Sequence, residues 1–373
     1  MKVLMTGGGT GGHVNPALAM AGTIRENAKD AEIAFVGTKT GIENKLVPKE
    51  GYKLYHVEVK GFKRSLAPSN IKALILAYTS PIKAEKIIKE FKPDLVVGTG
   101  GYVCWPVIKA AARAGIPTAL HESNAVPGFT VKMLEKYTDK IFVNFEETKK
   151  YLKFPDKAVR VGNPIRSEFF KLDYEKARRS LGIEGKYKLF LLSCGGSMGA
   201  EPINNEAISF MDSYVKYHPE IYHLHASGAI EYEAAKRQFE NLGLNSYKNI
   251  ELVEYIYDMP QRMAAADLVI NRAGATTLSE LAALGKPCVL IPSPYVTNNH
   301  QYKNAKVLAD QGAAVVIEEK DLTEDKFKKT VCGIIGDEGK LKEMAENIGK
   351  FAVTDPSKII YKELMALAKI KNI

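Results

Sequence analysis

The sequence predicts an α/β protein of two doubly wound domains, each built on a mostly parallel sheet. Three observations carry that expectation. Short β-rich apolar runs alternate with longer amphipathic runs throughout the 373 residues. The chain is too long for one ordinary core, and its 46% hydrophobic residues suffice to fill two. The series of strands also opens twice in the same way, with an apolar strand, a glycine-rich turn and a helix start. The first opening is Val3-Leu4-Met5 followed by Gly7-Gly8-Gly9-Thr10-Gly11-Gly12-His13, and the second is Leu189 to Cys194 followed by Gly195-Gly196-Ser197-Met198-Gly199-Ala200.

Taken in order, strands are expected near 2–6, 32–36, 53–59, 94–98, 117–121 and 140–144, then near 188–194, 221–226, 249–253, 267–270, 287–291 and 313–316. The break falls in Gly162-Asn163-Pro164, which separates residues 1–163 from 164–355. In the first turn, glycines let N–H groups approach an anion, and the following helix points its positive end at the same place. Gly7-x-Gly9-x-x-Gly12 also satisfies the dinucleotide fingerprint. That fingerprint asks for an acid at the end of the second strand, yet Ile33-Ala34-Phe35-Val36 ends in Gly37-Thr38, and Glu32 stands at the strand's other end. A nicotinamide or flavin site is therefore set aside. Leu95-Val96-Val97-Gly98-Thr99-Gly100-Gly101-Tyr102 repeats the strand-to-glycine arrangement, and because open parallel sheets bind ligands at the carboxyl ends of their strands, all three turns are expected to face one interdomain cleft.

Composition narrows the class. No window approaches the roughly 20 apolar residues of a membrane span, and the start runs into the glycine turn too soon for a signal peptide, so the chain is expected to stay in the cytoplasm. Cys104, Cys194, Cys288 and Cys332 form no Cys-x-x-Cys pair and lie in or beside apolar runs, as reduced core thiols do. No close Asp-x-Asp pair offers to hold a divalent metal against a diphosphate, so no metal and no cofactor is expected. The net charge of +9 is lopsided: residues 1–165 hold 25 Lys/Arg against 15 Asp/Glu, and the remainder 27 against 28. Nucleic acid and anionic membrane are the usual partners of such a field, and no nucleic-acid motif accompanies it.

Gly274-Ala275-Thr276-Thr277-Leu278-Ser279-Glu280 follows the strand Asp267-Leu268-Val269-Ile270 and starts a helix, so its amides form another anion site. Thr277-x-x-Glu280 reads equally well as a capping box, which stabilises a helix by about 1 kcal/mol without binding anything.

Thr10-Gly11-Gly12-His13, His121-Glu122-Ser123-Asn124, Gly162-Asn163-Pro164-Ile165-Arg166, Gly195-Gly196-Ser197-x-Gly199-Ala200, Arg272-Ala273-Gly274-Ala275-x-Thr277-x-Ser279-Glu280 and Asn299-His300-Gln301 occur in that order over almost the whole chain. In these motifs the sequence resembles the MurG family, the UDP-N-acetylglucosamine:N-acetylmuramyl-(pentapeptide) pyrophosphoryl-undecaprenol N-acetylglucosaminyltransferases of peptidoglycan synthesis. The resemblance implies a GT-B fold of two Rossmann-like domains, with a C-terminal helix from about 356 returning to the first. It also implies a metal-independent inverting transfer of GlcNAc from UDP-GlcNAc to the 4-hydroxyl of the N-acetylmuramyl unit of lipid I, giving lipid II. The first domain would then face acceptor and membrane, and the second would bind the donor.

Inversion needs a base on the acceptor hydroxyl opposite the leaving UDP, and donors around the phosphates. Histidine is the side chain whose ordinary charge change falls near neutrality, which makes His13 the first candidate base, with helix capping or phosphate positioning as its alternatives; Glu122 is the second candidate. As the resemblance carries over, Arg166 meets the donor diphosphate, against the alternative of a surface ion pair, and Ser197 with its turn shares the phosphates. The main chain of Ile256 reads the uracil edge, Glu280 the ribose, and Gln301 with Asn124 the GlcNAc. Thr10, Gly11 and Gly12, and the helix start Ala275, Thr276, Thr277, Leu278 and Ser279, complete the donor set. Gly9, Gly100, Gly101 and Tyr102 would meet the acceptor. At His300 many members carry a second Gln.

A polyprenyl acceptor requires work at the cytoplasmic face of the cell membrane. Lys60, Lys63, Arg64, Lys72, Lys83, Lys86 and Lys89 surround Leu74-Ile75-Leu76-Ala77-Tyr78, and the sole tryptophan, Trp105, follows the second glycine turn. A basic rim around an apolar patch is what a peripheral protein needs, at about 1 kcal/mol per well-placed charge, although a core helix with solvated lysines reads the same way. Other proteins of cell-wall synthesis are candidate partners. Competing readings are another UDP-sugar transferase of this fold, or a sugar-nucleotide-binding regulator without catalysis.

Overall fold

The computed structural model describes residues 1–60 and 69–370. In chain order the elements are β1 (Lys2–Thr6), α1 (Gly11–Asn27), β2 (Glu32–Gly37), α2 (Glu43–Lys49), β3 (Lys53–His56), α3 (Ser69–Phe91), β4 (Leu95–Gly98), α4 (Cys104–Arg113), β5 (Thr118–Glu122), α5 (Phe129–Leu134), β6 (Lys140–Val143) and β7 (Ala158–Arg160). After these come α6 (Tyr174–Ser180), β8 (Leu189–Cys194), α7 (Glu201–Ser213), β9 (Ile221–Ala226), α8 (Tyr232–Asn241), β10 (Ile250–Val253), α9 (Met259–Ala265), β11 (Leu268–Asn271), α10 (Ala275–Leu284), β12 (Cys288–Leu290), α11 (His300–Ala309), β13 (Ala314–Val316), α12 (Glu324–Ile335), α13 (Glu338–Gly349) and α14 (Pro356–Ile370).

The chain divides into two compact units, Met1–Ile165 with Asp355–Ile373, and Arg166–Thr354. The first is built on a parallel sheet ordered β3-β2-β1-β4-β5-β6-β7, and the second on a parallel sheet ordered β10-β9-β8-β11-β12-β13. Both faces of such a sheet are covered by helices, which is why its central strands read as unbroken apolar runs. Val3, Leu4 and Met5 of β1 are fully buried, as are Phe190, Leu191 and Leu192 of β8. The order reverses beside β1 in one sheet and beside β8 in the other, and each of these strands feeds a glycine turn at the point where doubly wound folds bind ligands.

β7 was not expected from the sequence. Its three residues pair with β6 at the sheet edge, Ile141 opposite Ala158, and a run so short that ends in a charge carries no strand signal. The third strand ends at His56, short of the expected 59. At the other end of the chain, Ile360, Leu364 and Leu367 of α14 bury themselves among Val14, Ala17, Met20 and Phe35, so this last helix completes the core of the first unit.

Candidate functional site

In the first unit the turn after β1 lies against the turn after β4. The N–H of Gly8 donates to the Gly100 carbonyl at 3.4 Å, and the N–H of Thr99 to Thr6 at 2.9 Å. The contact is close enough to demand glycine. Gly100 and Gly101 have φ of +114° and +84°, and a Cβ on either would collide with the His13 ring or with the Gly8 carbonyl. The N–H of Gly9 is also engaged, donating at 3.0 Å to a carboxylate oxygen of Glu43, a residue with no exposed surface. The simple phosphate cradle expected at this turn therefore needs correction: the Gly8 and Gly9 amides are already satisfied, and a buried carboxylate behind them repels an anion. At the helix start the N–H groups of Gly11 and Gly12 have no acceptor among the described residues, as is usual there.

His13 stands in the first turn of α1. The cap position is Thr10, whose carbonyl accepts the N–H of His13, so His13 does not cap the helix. Its ring Nδ1 lies 3.2 Å from the Thr99 carbonyl, and the Thr99 hydroxyl donates back to the His13 carbonyl at 2.7 Å. Since a carbonyl only accepts, this contact selects the Nδ1–H tautomer and places the lone pair on Nε2. Glu122, the other candidate base, is buried and fully committed. One carboxylate oxygen accepts from the Asn124 main-chain N–H at 2.9 Å and side-chain amide at 3.0 Å, and the other accepts from the Gly128 N–H at 2.7 Å. Burial pushes its carboxyl up, opposed by those donors. Such a group shapes the loop leading to α5 and holds the Asn124 amide in place. Tyr102 is half-exposed beside Gly101.

In the second unit a cleft of about 430 Å³ is lined by Gly195, Gly199 and Ala200 of the glycine turn, by Glu201 and Pro202 at the start of α7, and by Arg272, Ser293, Tyr295, Gln301 and Glu319. The N–H groups of Ser197 and Met198 find no acceptor among the described residues. Gln301 accepts the Ser293 N–H at 2.9 Å through Oε1, which fixes the side chain and leaves its NH₂ directed elsewhere. Ile256 is anchored by a buried side chain, while its main-chain N–H and C=O make no hydrogen bond among the described residues. His300 turns its Nδ1 to the Thr297 carbonyl at 2.9 Å, closing the turn that holds Asn298 and Asn299 in left-handed conformations.

Helix α10 begins at Ala275 with Gly274 as its cap, so Thr277 already lies inside the first turn and the expected capping box does not form. Ser279 donates its hydroxyl to the Ala275 carbonyl at 3.0 Å. Thr276 is exposed and Leu278 is buried. Glu280, relieved of a capping role, has its carboxyl pushed up to about 7 by burial, with the Arg166 guanidinium pulling it down. Arg166 itself is largely exposed, 3.8 Å from Glu168 and over the Phe169 ring. It is thus both the surface pair considered from the sequence and a cation close enough to act on Glu280.

Sequence reasoning missed Arg272 as a cleft residue, although the residue stands in a quoted motif. Its guanidinium meets Glu319 at 2.5 Å and donates to the Ile291 carbonyl at 3.1 Å, with little exposure of either side chain. The signal lay in its position one turn ahead of α10, but its partner is 47 residues away and nothing in the sequence links the two. Glu43 was missed for the same reason.

On the suspected membrane face, Lys63 and Arg64 lie outside the described residues, as do the side chains of Lys72, Leu74, Ile75 and Ala77. Of the rest, Tyr78 is 82% and Ile82 51% exposed on α3, among the exposed Lys83, Lys86 and Lys89, and Lys60 is exposed as well. Trp105 packs edge-on against Tyr137 with Lys109 over its ring. No described helix is long and apolar enough to cross a membrane.

Comparison with known proteins assigns the family. Residues 3–143 match the glycosyltransferase family 28 N-terminal domain and residues 190–359 its C-terminal domain. The chain belongs to glycosyltransferase family 28, in its MurG branch. The branch follows from full-length relatives. The UDP-N-acetylglucosamine--N-acetylmuramyl-(pentapeptide) pyrophosphoryl-undecaprenol N-acetylglucosamine transferase of Acetivibrio thermocellus is 44% identical over 371 residues, covering 100% of this chain and 99% of that protein. One of the like-named transferases of Bacillus thuringiensis is 40% identical over 370 residues, covering 99% and 100%. Among solved structures, Acinetobacter baumannii MurG superposes with a TM-score of 0.80 at 28% identity, covering 98% of this chain and 99% of that one. The Neisseria meningitidis UDP-GlcNAc 2-epimerase bound to UDP-GlcNAc, at TM-score 0.63 and 17% identity, shares the fold alone. Two Rossmann-like parallel-sheet domains of the GT-B class are thus the architecture of this MurG family member.

Proposed function

We propose that this MurG family member transfers GlcNAc from UDP-GlcNAc to the 4-hydroxyl of MurNAc in undecaprenyl-pyrophosphoryl-MurNAc-pentapeptide, forming lipid II, with His13 as base. The Nδ1 contact to Thr99 supports that role most directly, because it orients the ring and puts the basic lone pair on Nε2. Nε2 takes the proton of the 4-hydroxyl as that oxygen attacks C1 of GlcNAc. The C1–oxygen bond to the β-phosphate breaks on the opposite face, and UDP departs with its charge. Arg166, the N–H groups of Ser197 and Met198 and the start of α10 receive that charge, with no metal required. Ile256 meets uracil through its main chain, Glu280 the ribose, and Gln301 with Asn124 the sugar, while Gly9, Gly100, Gly101 and Tyr102 meet the acceptor. Glu122 serves by holding Asn124, since both its oxygens are occupied.

Tyr78 and Ile82 with the neighbouring lysines support attachment to the anionic cytoplasmic face of the membrane as a peripheral protein. Turnover of UDP-GlcNAc with a lipid I analogue tests the reading. Lipid II formation that persists in EDTA is expected, and UDP-GlcNAc binding without UDP release would leave only a sugar-nucleotide-binding protein.

A further inference from the structure

Glu43 is the most enclosed acid in the first unit. It is the first residue of α2, has no exposed surface and lies under the glycine turn that follows β1. One oxygen accepts from the Gly9 N–H at 3.0 Å, and the other accepts from the N–H and hydroxyl of Thr38, both at 2.8 Å. Burial pushes the carboxyl up, but the Thr38 and Gly9 donors outweigh it and hold the group below the ordinary carboxylate value, so the ionised form is the native one. Glycines wall the group in on three sides: a Cβ on Gly8, Gly37 or Gly41 would overlap its side chain. Charge-assisted bonds of this kind are the strong ones, and they tie three chain segments, 7–10, 37–41 and the start of α2, to one point.

We infer that Glu43 is a positioning residue for the transfer reaction, a buried clamp that fixes the Gly7–Thr10 turn and, through it, the orientation of His13. The chain of contacts is short. Gly9 is held by Glu43, Gly8 by the Gly100 carbonyl, and the His13 ring by the Thr99 carbonyl next to Gly100. If the turn slackens, the ring and the carbonyl that selects its tautomer move apart. The same carboxylate puts negative charge behind the Gly8 and Gly9 amides, so these two N–H groups serve the fold rather than a phosphate.

The inference rests on His13 being the base, and the test separates the two. In full-length protein, Glu43→Gln keeps the shape and removes the charge, while Gly41→Ala keeps the charge and pushes the carboxylate away. Both are expected to lower kcat about tenfold or more while UDP affinity stays within about twofold of wild type. In both, long-range ¹H–¹⁵N spectra are expected to show His13 losing its Nδ1–H tautomer, with His13→Ala assigning the signals. Retention of that tautomer and of wild-type kcat in either folded variant overturns the clamp. Wild-type turnover by His13→Ala instead overturns the base, and the tautomer signal still decides whether Glu43 orients the ring.

Discussion

The two glycine turns that open the two units look alike in sequence and differ in what lies behind them. After β1, the Gly8 and Gly9 amides are satisfied by Gly100 and by the buried Glu43 carboxylate. After β8, the turn borders a cleft, and the Ser197 and Met198 amides have no acceptor among the described residues. A glycine-rich turn records that the backbone comes close to something. Whether that something is a ligand or another part of the chain depends on residues far away in sequence. Here the first turn was spent on building a rigid seat for a histidine and the second on leaving donors open.

The largest effect that sharpens this contrast is at His13. His13→Ala is expected to reduce turnover by about 10² to 10⁴ while UDP-GlcNAc binding, proposed for the second unit, is kept. Steady-state kinetics beside calorimetric titration checks both halves. On the cleft side, Arg272→Ala strands Glu319 as an unpaired buried charge, at a cost of about 3 kcal/mol to the second unit. Urea unfolding followed by a probe in that unit measures it. Next comes Arg166→Ala, with UDP affinity down about tenfold, as loss of one charge-assisted contact implies. Unchanged affinity would reduce Arg166 to its pair with Glu168.

How much of this was legible in the sequence follows from the same contrast. Strands buried on both faces announce themselves as apolar runs, so β1, β4, β8 and β11 were readable, whereas the three-residue edge strand β7 was not. Local chemistry was readable too: the glycines, His13 and the motif ahead of α10 all declare themselves within a few residues. What could not be read was the pairing of distant groups, such as Glu43 with Gly9, Thr99 with His13 and Arg272 with Glu319, because each needs the topology to bring it together. Even the capping box failed for a local reason. Gly274 takes the cap in extended backbone, and the helix therefore starts earlier than Thr277.

Two smaller effects test the start of α10. The Glu280 carboxyl, raised to about 7 in the folded chain from about 4.5, keeps its proton in the native state across that window. Its contribution to stability is therefore full below about pH 4.5 and is lost as pH rises through 7. If the ionised form accepts from ribose hydroxyls, UDP-GlcNAc affinity runs the other way and strengthens as pH rises through the same window. Glu280→Gln is expected to flatten both profiles, and a sugar nucleotide is the right probe because neither of its phosphates titrates there. Smallest of all is Thr277→Ala. A capping threonine would cost about 1 kcal/mol on removal, but this side chain lies inside the first turn with Gly274 already in the cap position, and a change below about 0.5 kcal/mol is expected. A loss of UDP-GlcNAc affinity without a change in the unfolding midpoint would then place the Thr277 hydroxyl on the ligand, and a full 1 kcal/mol loss of stability with unchanged affinity would restore the box.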